Sequence, residues 1–387
     1  MSVSPHDTTY RTPDGGTVPS RRRILATARR IVVKIGSSSL SRDDGCLDLN
    51  RLDQVAGFVC QRLDIGQQVM VVTSGAISAG IVPLGLTMRP RDLPTAQACA
   101  AMGQGLLMAR WKEAFQSHRH QVAQILLTVE DVMRRNQYTN AHQALDKLLN
   151  LGIVPIVNEN DAVATDEIRF GDNDRLAALT SHMIQADVLI LATDVDGLYT
   201  APPSDPAATK IDVVTDINNV DAVVSAKGST LGTGGMVTKL EAARIASSAG
   251  IPVILCSADD IDKALEGDEV GTLFVPSRSR RPSRLLWLAF AAQVRGKVSI
   301  DKGAYHAITD GKSSLLAAGV SGVQGYFSAG DVISVLVEEK EVARGISGYS
   351  SHELSGFVGK SSNEIRQLGV DHVRPVIHRD DLAIRNE

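Results

Sequence analysis

The sequence predicts an α/β protein, an αβα sandwich with a mostly parallel central sheet, followed by a small β-rich domain. Three observations support this prediction. Short apolar runs such as RIVVKIG (30–36) alternate with segments whose apolar residues recur at helical spacing. Strands that are apolar on both faces are typical of parallel sheets covered by helices on both sides. After about residue 276 the chain is rich in Gly and Ser, with short strand patterns and few long helical ones.

The elements follow in a regular order. The first strand, which ends at Gly36, precedes a helix that carries Leu52, Val55, Val59 and Leu63 before Gly66. Further strands are predicted at 68–75, 123–128, 152–158, 187–193 and 251–256, with helices at 139–151, 174–186 and 237–249. In the second domain, KVSID, GYFSAGDVISVLV and EVARGISGYS are strand candidates, and SSNEIRQLG is predicted to be helical.

Composition limits the classes of function. The chain has 387 residues, of which 43% are hydrophobic and 22% charged, as in ordinary globular proteins. A net charge of -4 gives no general attraction to nucleic acid or to an anionic membrane. The four cysteines show no CxxC spacing, so they predict neither a zinc site nor a disulfide framework, and a reducing, cytoplasmic location is expected. No apolar run approaches the ~18 residues that span a bilayer, so no membrane partner is expected.

Changes in composition predict five segments. Residues 1–28 carry several arginines without an apolar signal core and are interpreted as a mobile tail. A main domain at 29–275 is followed by a linker at 276–296, which contains the basic stretch PSRSRRPSR, and by the β-rich domain at 297–376. Residues 377–387 are interpreted as a C-terminal surface tail. HRDDLAIRN within it echoes the protein-kinase catalytic loop, but its Asn is one place late and no D-F-G follows.

Polar clusters follow four of the predicted strands. They read KIGSSS (34–39), TSGA (73–76), NENDA (158–162) and TDVDG (193–197). Any one of them is explained by ordinary turn chemistry. Ligands of open parallel sheets bind beyond the carboxyl ends of the strands, so the four clusters together with GDND (171–174) favour one shared site.

The stretch LGTGGMVTK (231–239) indicates the chemistry of that site. It is not the common P-loop, because Thr238 stands where glycine would precede the lysine. Glycine-rich backbone and a following helix suit an anion. Lys34, within an apolar strand, would need an anionic partner, although it could also snorkel or pair with a structural carboxylate. Lys239 could equally be solvated. Without a triad or a metal-ligand cluster, the set favours phosphoryl transfer.

Several long motifs in order carry a resemblance to a known family. The chain resembles the glutamate 5-kinases of the amino-acid kinase superfamily, in the form with a C-terminal PUA domain. The motifs are VVKIGSSSL, VTSGAISAG, IVPIVNENDAVAT, GDNDRLAAL, LATDVDGLYT, LGTGGMVTKLEAA, GAYHAI and FSAGDVI. The resemblance implies the amino-acid kinase fold for 29–275 and a PUA domain for 297–376. It also implies that ATP phosphorylates the side-chain carboxylate of L-glutamate, the first step of proline synthesis, with Mg²⁺ bridging ATP oxygens.

The resemblance also implies roles for individual residues. Lys34 and Lys239 would contact the transferring phosphate, and Asp174 would orient both lysines. Ser74, Asp161 and Asn173 would hold glutamate, and no dedicated metal ligand is implied. The nucleotide would be bound by Lys34, Gly36, Thr193, Asp194, Thr233, Gly234, Gly235, Met236, Val237, Thr238 and Lys239. A carboxylate with a reference pKa of about 4.3 is ionised at neutral pH, so no general base is expected.

Alternatives remain at this level. Spacing and loop chemistry alone would fit a sibling kinase acting on acetylglutamate, carbamate, aspartate or a nucleotide. PUA domains in other proteins bind RNA, but 297–387 contains 10 Lys/Arg and 12 Asp/Glu, or 10 - 12 = -2. RNA is therefore not an expected partner, and a regulatory or assembly role is preferred. The family further implies feedback inhibition by proline and a homo-oligomer.

Overall fold

The fold is that of a computed structural model with two compact units, Met1–Arg280 and Arg281–Glu387. The structure describes residues 9–11, 17–42, 47–128, 131–132, 135–163, 173–201, 204–217, 220, 235–276, 294–310, 313–370 and 373–384. None of the helices in these ranges combines the length and apolar content needed to cross a bilayer.

The first unit is built on one eight-stranded sheet. Its strands and two small hairpins are, in chain order, β1 Tyr10–Arg11, β2 Thr17–Val18, β3 Arg30–Ile35, β4 Gln68–Thr73, β5 Gln121–Leu127, β6 Ile153–Glu159, β7 Val188–Thr193, β8 Leu198–Tyr199, β9 Lys210–Ile211, β10 Val213–Val214, β11 Val253–Ser257 and β12 Thr272–Phe274. The large sheet has the order β10-β12-β11-β7-β3-β4-β6-β5. Only the β11–β12 pair in it is antiparallel, which confirms the predicted mostly parallel sheet.

Helices cover both faces of this sheet. They are α1 Arg21–Thr27, α2 Ser37–Leu40, α3 Leu49–Asp64, α4 Ala76–Ile81, α5 Leu93–Ser117, α6 Arg135–Asn150, α7 Asn173–Met183, α8 Gly235–Ser248 and α9 Ile261–Glu266. Residues of α1, α3, α5 and α9 share a buried core with alternate residues of β3, namely Ile31, Val33 and Ile35. Helices α6, α7 and α8 contact the same sheet but contribute nothing to that core, so they cover its other face. The predicted αβα sandwich is confirmed.

Two glycines let α4 and α5 pack backbone against backbone. A Cβ atom on Gly80 would lie 2.0 Å from the Cys99 carbonyl oxygen, and one on Gly103 would lie 1.9 Å from that of Ala76. No larger residue fits at either position. Because α4 begins directly after β4, this contact fixes the polar turn at the end of that strand. Gly75 in this turn has a φ of +109°, a conformation that favours glycine.

The prediction of a mobile tail over 1–28 is wrong at residues 10–11 and 17–28. These segments contain β1, which pairs with β2, and α1, whose Ile24 and Leu25 are buried in the core. Arg21 is fully buried, and its guanidinium donates to Glu269 and to the carbonyl oxygens of Asp212 and Gly271. The arginine content suggested solvent, but paired acceptors allow this charge to be buried.

The second unit contains a five-stranded sheet in the order β14-β13-β15-β16-β17. Its elements are β13 Gly296–Ile300, α10 Lys302–Thr309, β14 Val320–Gly325, β15 Val332–Val337, β16 Lys340–Ile346, α11 Ser351–Phe357, α12 Ser362–Gln367 and β17 Leu382–Ile384. The interpretation of 377–387 as a surface tail is wrong through Ile384. Ile377 is buried, and β17 pairs with β16, because Leu382 and Ala383 bury apolar surface there.

Candidate active site

Polar residues from the carboxyl ends of β3, β4, β6 and β7 meet the first turns of α7 and α8 around one cleft. The cleft has a volume of about 620 Å³. The residues predicted for the site that line it are Lys34, Gly36, Ser74, Asp161, Asn173, Asp174, Thr193, Gly235, Thr238 and Lys239. Parallel strands end on the same edge of a sheet, so residues far apart in the chain converge there.

Lys34 and Lys239 both contact the carboxylate of Asp174. Lys34 forms an ion pair with Oδ1, and the Nζ atom of Lys239 lies 3.4 Å from Oδ2. Lys34 and Asp174 are only 6% and 4% exposed. Lys239 also donates to the Gly235 carbonyl oxygen at 3.1 Å, so its ammonium is turned back over the first turn of α8. The structure therefore brings two cations from distant segments together at one end of the cleft.

Asp174 is negatively charged in this setting. Burial alone would raise the pKa of its carboxyl group, but the charges of Lys34 and Lys239 and hydrogen bonds from Lys34 and Thr238 outweigh burial and hold that pKa below its ordinary value. Thr238 Oγ1 donates to Asp174 Oδ2 at 3.2 Å. The ionised Asp174 carboxylate therefore holds the side chains of Lys34 and Lys239 beside the cleft.

A buried amide network lies beside these cations. Asn173 Nδ2 donates to Ser74 Oγ at 2.8 Å and to Asn158 Oδ1 at 3.1 Å. Asn158 Nδ2 in turn donates to Gln104 Oε1 on α5 at 2.8 Å. The backbone N–H of Glu159 donates to both asparagine oxygens. The network fixes the orientation of the Asn173 amide, which lines the cleft.

The cleft lining also includes other side chains of both charges. Asp161, which follows β6, is half-buried and lines the cleft with Arg89 and Arg91. Burial raises the pKa of the Asp161 carboxyl group, and the positive charge of Arg89 opposes this rise. The two side chains are therefore near enough for their charges to interact.

The remaining predicted residues are placed differently. Thr193 Oγ1 donates to Asp194 Oδ1 at 2.7 Å, and the exposed Asp194 does not line the cleft. Met236 and Val237 belong to α8 but also lie outside the cleft lining. Thr233 and Gly234 lie outside the described residues.

Comparison with known proteins identifies the family. Residues 29–257 match the amino acid kinase family model, and residues 296–369 match the PUA domain. A glutamate 5-kinase from Thermobifida fusca (strain YX) is 51% identical over 378 residues, which cover 96% of this chain and 97% of that protein. A glutamate 5-kinase from Salinispora arenicola (strain CNS-205) is 52% identical, with 94% and 100% covered. The chain belongs to the glutamate 5-kinase family.

A solved structure agrees with the fold of the glutamate 5-kinase family at the level of architecture. Carbamate kinase from Giardia lamblia bound to AMP-PNP matches with a TM-score of 0.50 and 16% identity, over 65% of this chain and 100% of that one. At this identity the likeness concerns the fold alone.

Four residues of this glutamate 5-kinase family site were not predicted individually from the sequence. Asn158 and Gln104 complete the amide network, and Arg89 and Arg91 add cations to the cleft. Asn158 was visible within NENDA, at the end of a predicted strand. The loop RPRDLP (89–94) combines two arginines with two prolines, a pattern that could have indicated a structured basic loop.

Proposed function

We propose that this chain transfers the γ-phosphoryl group of ATP to the side-chain carboxylate of L-glutamate, giving L-glutamyl 5-phosphate and ADP. The reaction would be the first step of proline biosynthesis from glutamate. The observation that carries the proposal is the convergence of Lys34 and Lys239 on Asp174 at one end of the cleft. The 51% identity to a glutamate 5-kinase supports the choice of acceptor.

The two lysines act on the phosphoryl group during transfer. Negative charge spreads over the equatorial oxygens of this group as the bond to ADP lengthens. Two ammonium groups that are already positioned by Asp174 and by the Gly235 carbonyl stabilise that charge without reorganising. Gly36 and Gly235 leave space beside the two ammonium groups. A Cβ at Gly36 would lie 3.6 Å from the Lys34 Nζ atom, and one at Gly235 would lie 3.9 Å from the Lys239 Nζ atom.

The acceptor end needs positioning more than proton transfer. The glutamate side chain is ionised at neutral pH, so the attacking oxygen requires no general base. Ser74 and Asn173, joined by a 2.8 Å hydrogen bond, would hold the acceptor, and Asp161 would bind its ammonium group. Holding both reactants in line converts a bimolecular encounter into a step within one complex.

Magnesium fits this cleft as part of the nucleotide complex. Among the described residues, no group of three or more His, Cys, Asp or Glu side chains could hold an ion by itself. Both oxygens of Asp174 face lysines. As the family resemblance implies, Mg²⁺ would be held mainly by ATP oxygens and water and would neutralise phosphate charge there. The nucleotide would lie toward Thr193, Asp194 and the segment 233–239.

Location, regulation and assembly complete the proposal. The described cysteines Cys60, Cys99 and Cys256 are free and buried, which supports a reducing, cytoplasmic location. Proline would act as a feedback inhibitor at the glutamate pocket, and the chain would form a homo-oligomer. The PUA domain would serve regulation or assembly rather than RNA binding.

The decisive experiment compares acceptors. Purified protein is given ATP, Mg²⁺ and, separately, glutamate, acetylglutamate, carbamate, aspartate or UMP, and ADP release is measured. Hydroxylamine is added in parallel, because it converts an acyl phosphate to a hydroxamate and leaves the phosphoanhydride of a nucleoside diphosphate, the product expected from UMP, intact. We expect hydroxamate only with glutamate. Turnover of another acceptor, with glutamate inactive, would refute the proposal.

A further inference from the structure

The cleft contains cationic side chains that the phosphoryl chemistry does not use. Four cations line its described part: Lys34, Lys239, Arg89 and Arg91. The two lysines contact Asp174 and face the phosphoryl end. Both arginines are exposed to the cleft, and none of the described residues pairs with the Arg89 guanidinium by a hydrogen bond or an ion pair. In the described part of the chain, the Arg89 guanidinium thus interacts with Asp161 through charge and is not engaged by a hydrogen bond or an ion pair.

The chemistry of the acceptor requires such a charge. Glutamate carries three charged groups, and the proposed mechanism places only the side-chain carboxylate and the ammonium. Its α-carboxylate would enter the cleft at the expense of its hydration shell, and this is costly unless a cation replaces the water. The ammonium and the α-carboxylate are attached to one carbon atom. The protein cation that binds the α-carboxylate must therefore lie beside the protein carboxylate that binds the ammonium.

Of the two arginines, Arg89 satisfies this condition. Its charge acts on the Asp161 carboxyl group, and both side chains line the cleft. A guanidinium group also presents two parallel N–H donors, which match the two oxygens of a carboxylate. Arg89 follows Met88 and precedes Pro90 in the loop before α5, so its backbone is restricted where the side chain enters the cleft.

We propose that Arg89 binds the α-carboxylate of the glutamate acceptor and, together with Asp161, recognises the zwitterionic end of the amino acid. This inference rests on the proposed function. It adds a determinant of specificity, because an acceptor without an α-carboxylate gains nothing from Arg89. Acetylglutamate keeps the carboxylate but loses the ammonium, so Asp161 and Arg89 together select for a free amino acid.

The test compares glutamate with its α-amide, which keeps the side-chain carboxylate and the ammonium but carries a neutral carboxamide in place of the α-carboxylate. Arg89→Ala should lower kcat/KM for glutamate by about 10- to 100-fold, as expected when a charged hydrogen-bonding partner is lost. For the α-amide, turnover and the inhibition constant against glutamate should change by less than about threefold. Arg89→Lys should recover part of the loss, because it keeps the charge but not the paired donors.

Two controls make the result specific. Arg110→Ala removes an exposed arginine of α5 whose partner is Glu113, outside the cleft, and should behave like the wild type. Thermal unfolding of each variant verifies that the fold is intact.

The inference would be overturned if Arg89→Ala left glutamate kinetics unchanged or weakened both acceptors equally. Loss of discrimination in Arg91→Ala, with Arg89→Ala unaffected, would also overturn it. A wild-type protein that does not phosphorylate glutamate at all would instead refute the proposed function, and the acceptor comparison would reveal this before any variant is made.

Discussion

Replacing Lys239 by alanine removes one of the two cations that contact Asp174. The Lys239 ammonium lies 3.4 Å from the carboxylate and its side chain is 13% exposed, so water screens it little. Loss of one preorganised contact to developing charge costs about 10²–10³ in turnover, or about 2.7–4 kcal/mol. We therefore expect kcat to fall by at least about 10²-fold.

The fold should survive this change. Asp174 keeps its ion pair with Lys34, so no buried carboxylate is left unpaired. Alanine is also the best helix former, and Lys239 lies in the first turns of α8. The free energy of unfolding should fall by less than about 2 kcal/mol.

The assay measures ADP release and hydroxamate formation for wild type, Lys239→Ala and Lys263→Ala. Lys263 is the matched control, because it also pairs with an aspartate, Asp260, but on the exposed surface of the same unit. Its variant should keep wild-type turnover. A folded Lys239→Ala protein whose turnover lies within about threefold of wild type would refute the catalytic role of Lys239.

Three further predictions follow from the same geometry. Asp161→Ala should raise the KM for glutamate more than the KM for ATP, and equal increases would contradict a role in holding the acceptor. Asp174→Asn should reduce the loss of unfolding free energy at acid pH, measured by chemical denaturation. The folded-state pKa of Asp174 is lowered, so its contribution to stability is present above its unfolded pKa of about 3.9 and is lost as pH falls through the lower folded value. An unchanged dependence on acid pH would argue against this. Gly103→Ala should destabilise the first unit by about 1–3 kcal/mol and lower activity, since its Cβ would meet the Ala76 carbonyl. Gly105→Ala is the control, because open space surrounds that position, and it should be neutral or stabilising. Equal melting temperatures for the two variants would contradict the backbone contact.

Periodicity predicts the main elements of the first unit because each strand and helix buries a face that its own residues supply. The predicted helix at 174–186 is observed as Asn173–Met183, and that at 237–249 as Gly235–Ser248. The differences of one to three residues lie at the ends, where capping decides the boundary. Helix α5 was not predicted, although Cys99, Leu107, Trp111 and Phe115 recur at multiples of four and are buried.

Some residues of the site could likewise be predicted from the sequence and others could not. Lys34 and Lys239 were candidates from the sequence, because a lysine within an apolar strand and a glycine-rich loop both suit an anion, whereas the role of Asp174 followed from the family resemblance of GDND. Gln104 could not be chosen, since its relevance depends on where α5 packs, and the pattern RPRDLP indicates a basic loop at Arg89 but not its place in the cleft. The burial of Arg21 could not be predicted for a related reason. A charged side chain is buried only when distant acceptors such as Glu269 are brought to it.

The sequence by itself determined the local periods, the glycine positions and the side-chain chemistry available at each strand end. Only the tertiary structure decided which of those ends meet. In the sheet β3 lies between β4 and β7, although β5 and β6 intervene between β4 and β7 in the chain. Pairing between distant strands and the close approach of α4 to α5 depend on burial summed over the whole unit. No local window of sequence contains that sum. The packing of the whole unit brings Lys34 and Lys239 into contact with the Asp174 carboxylate.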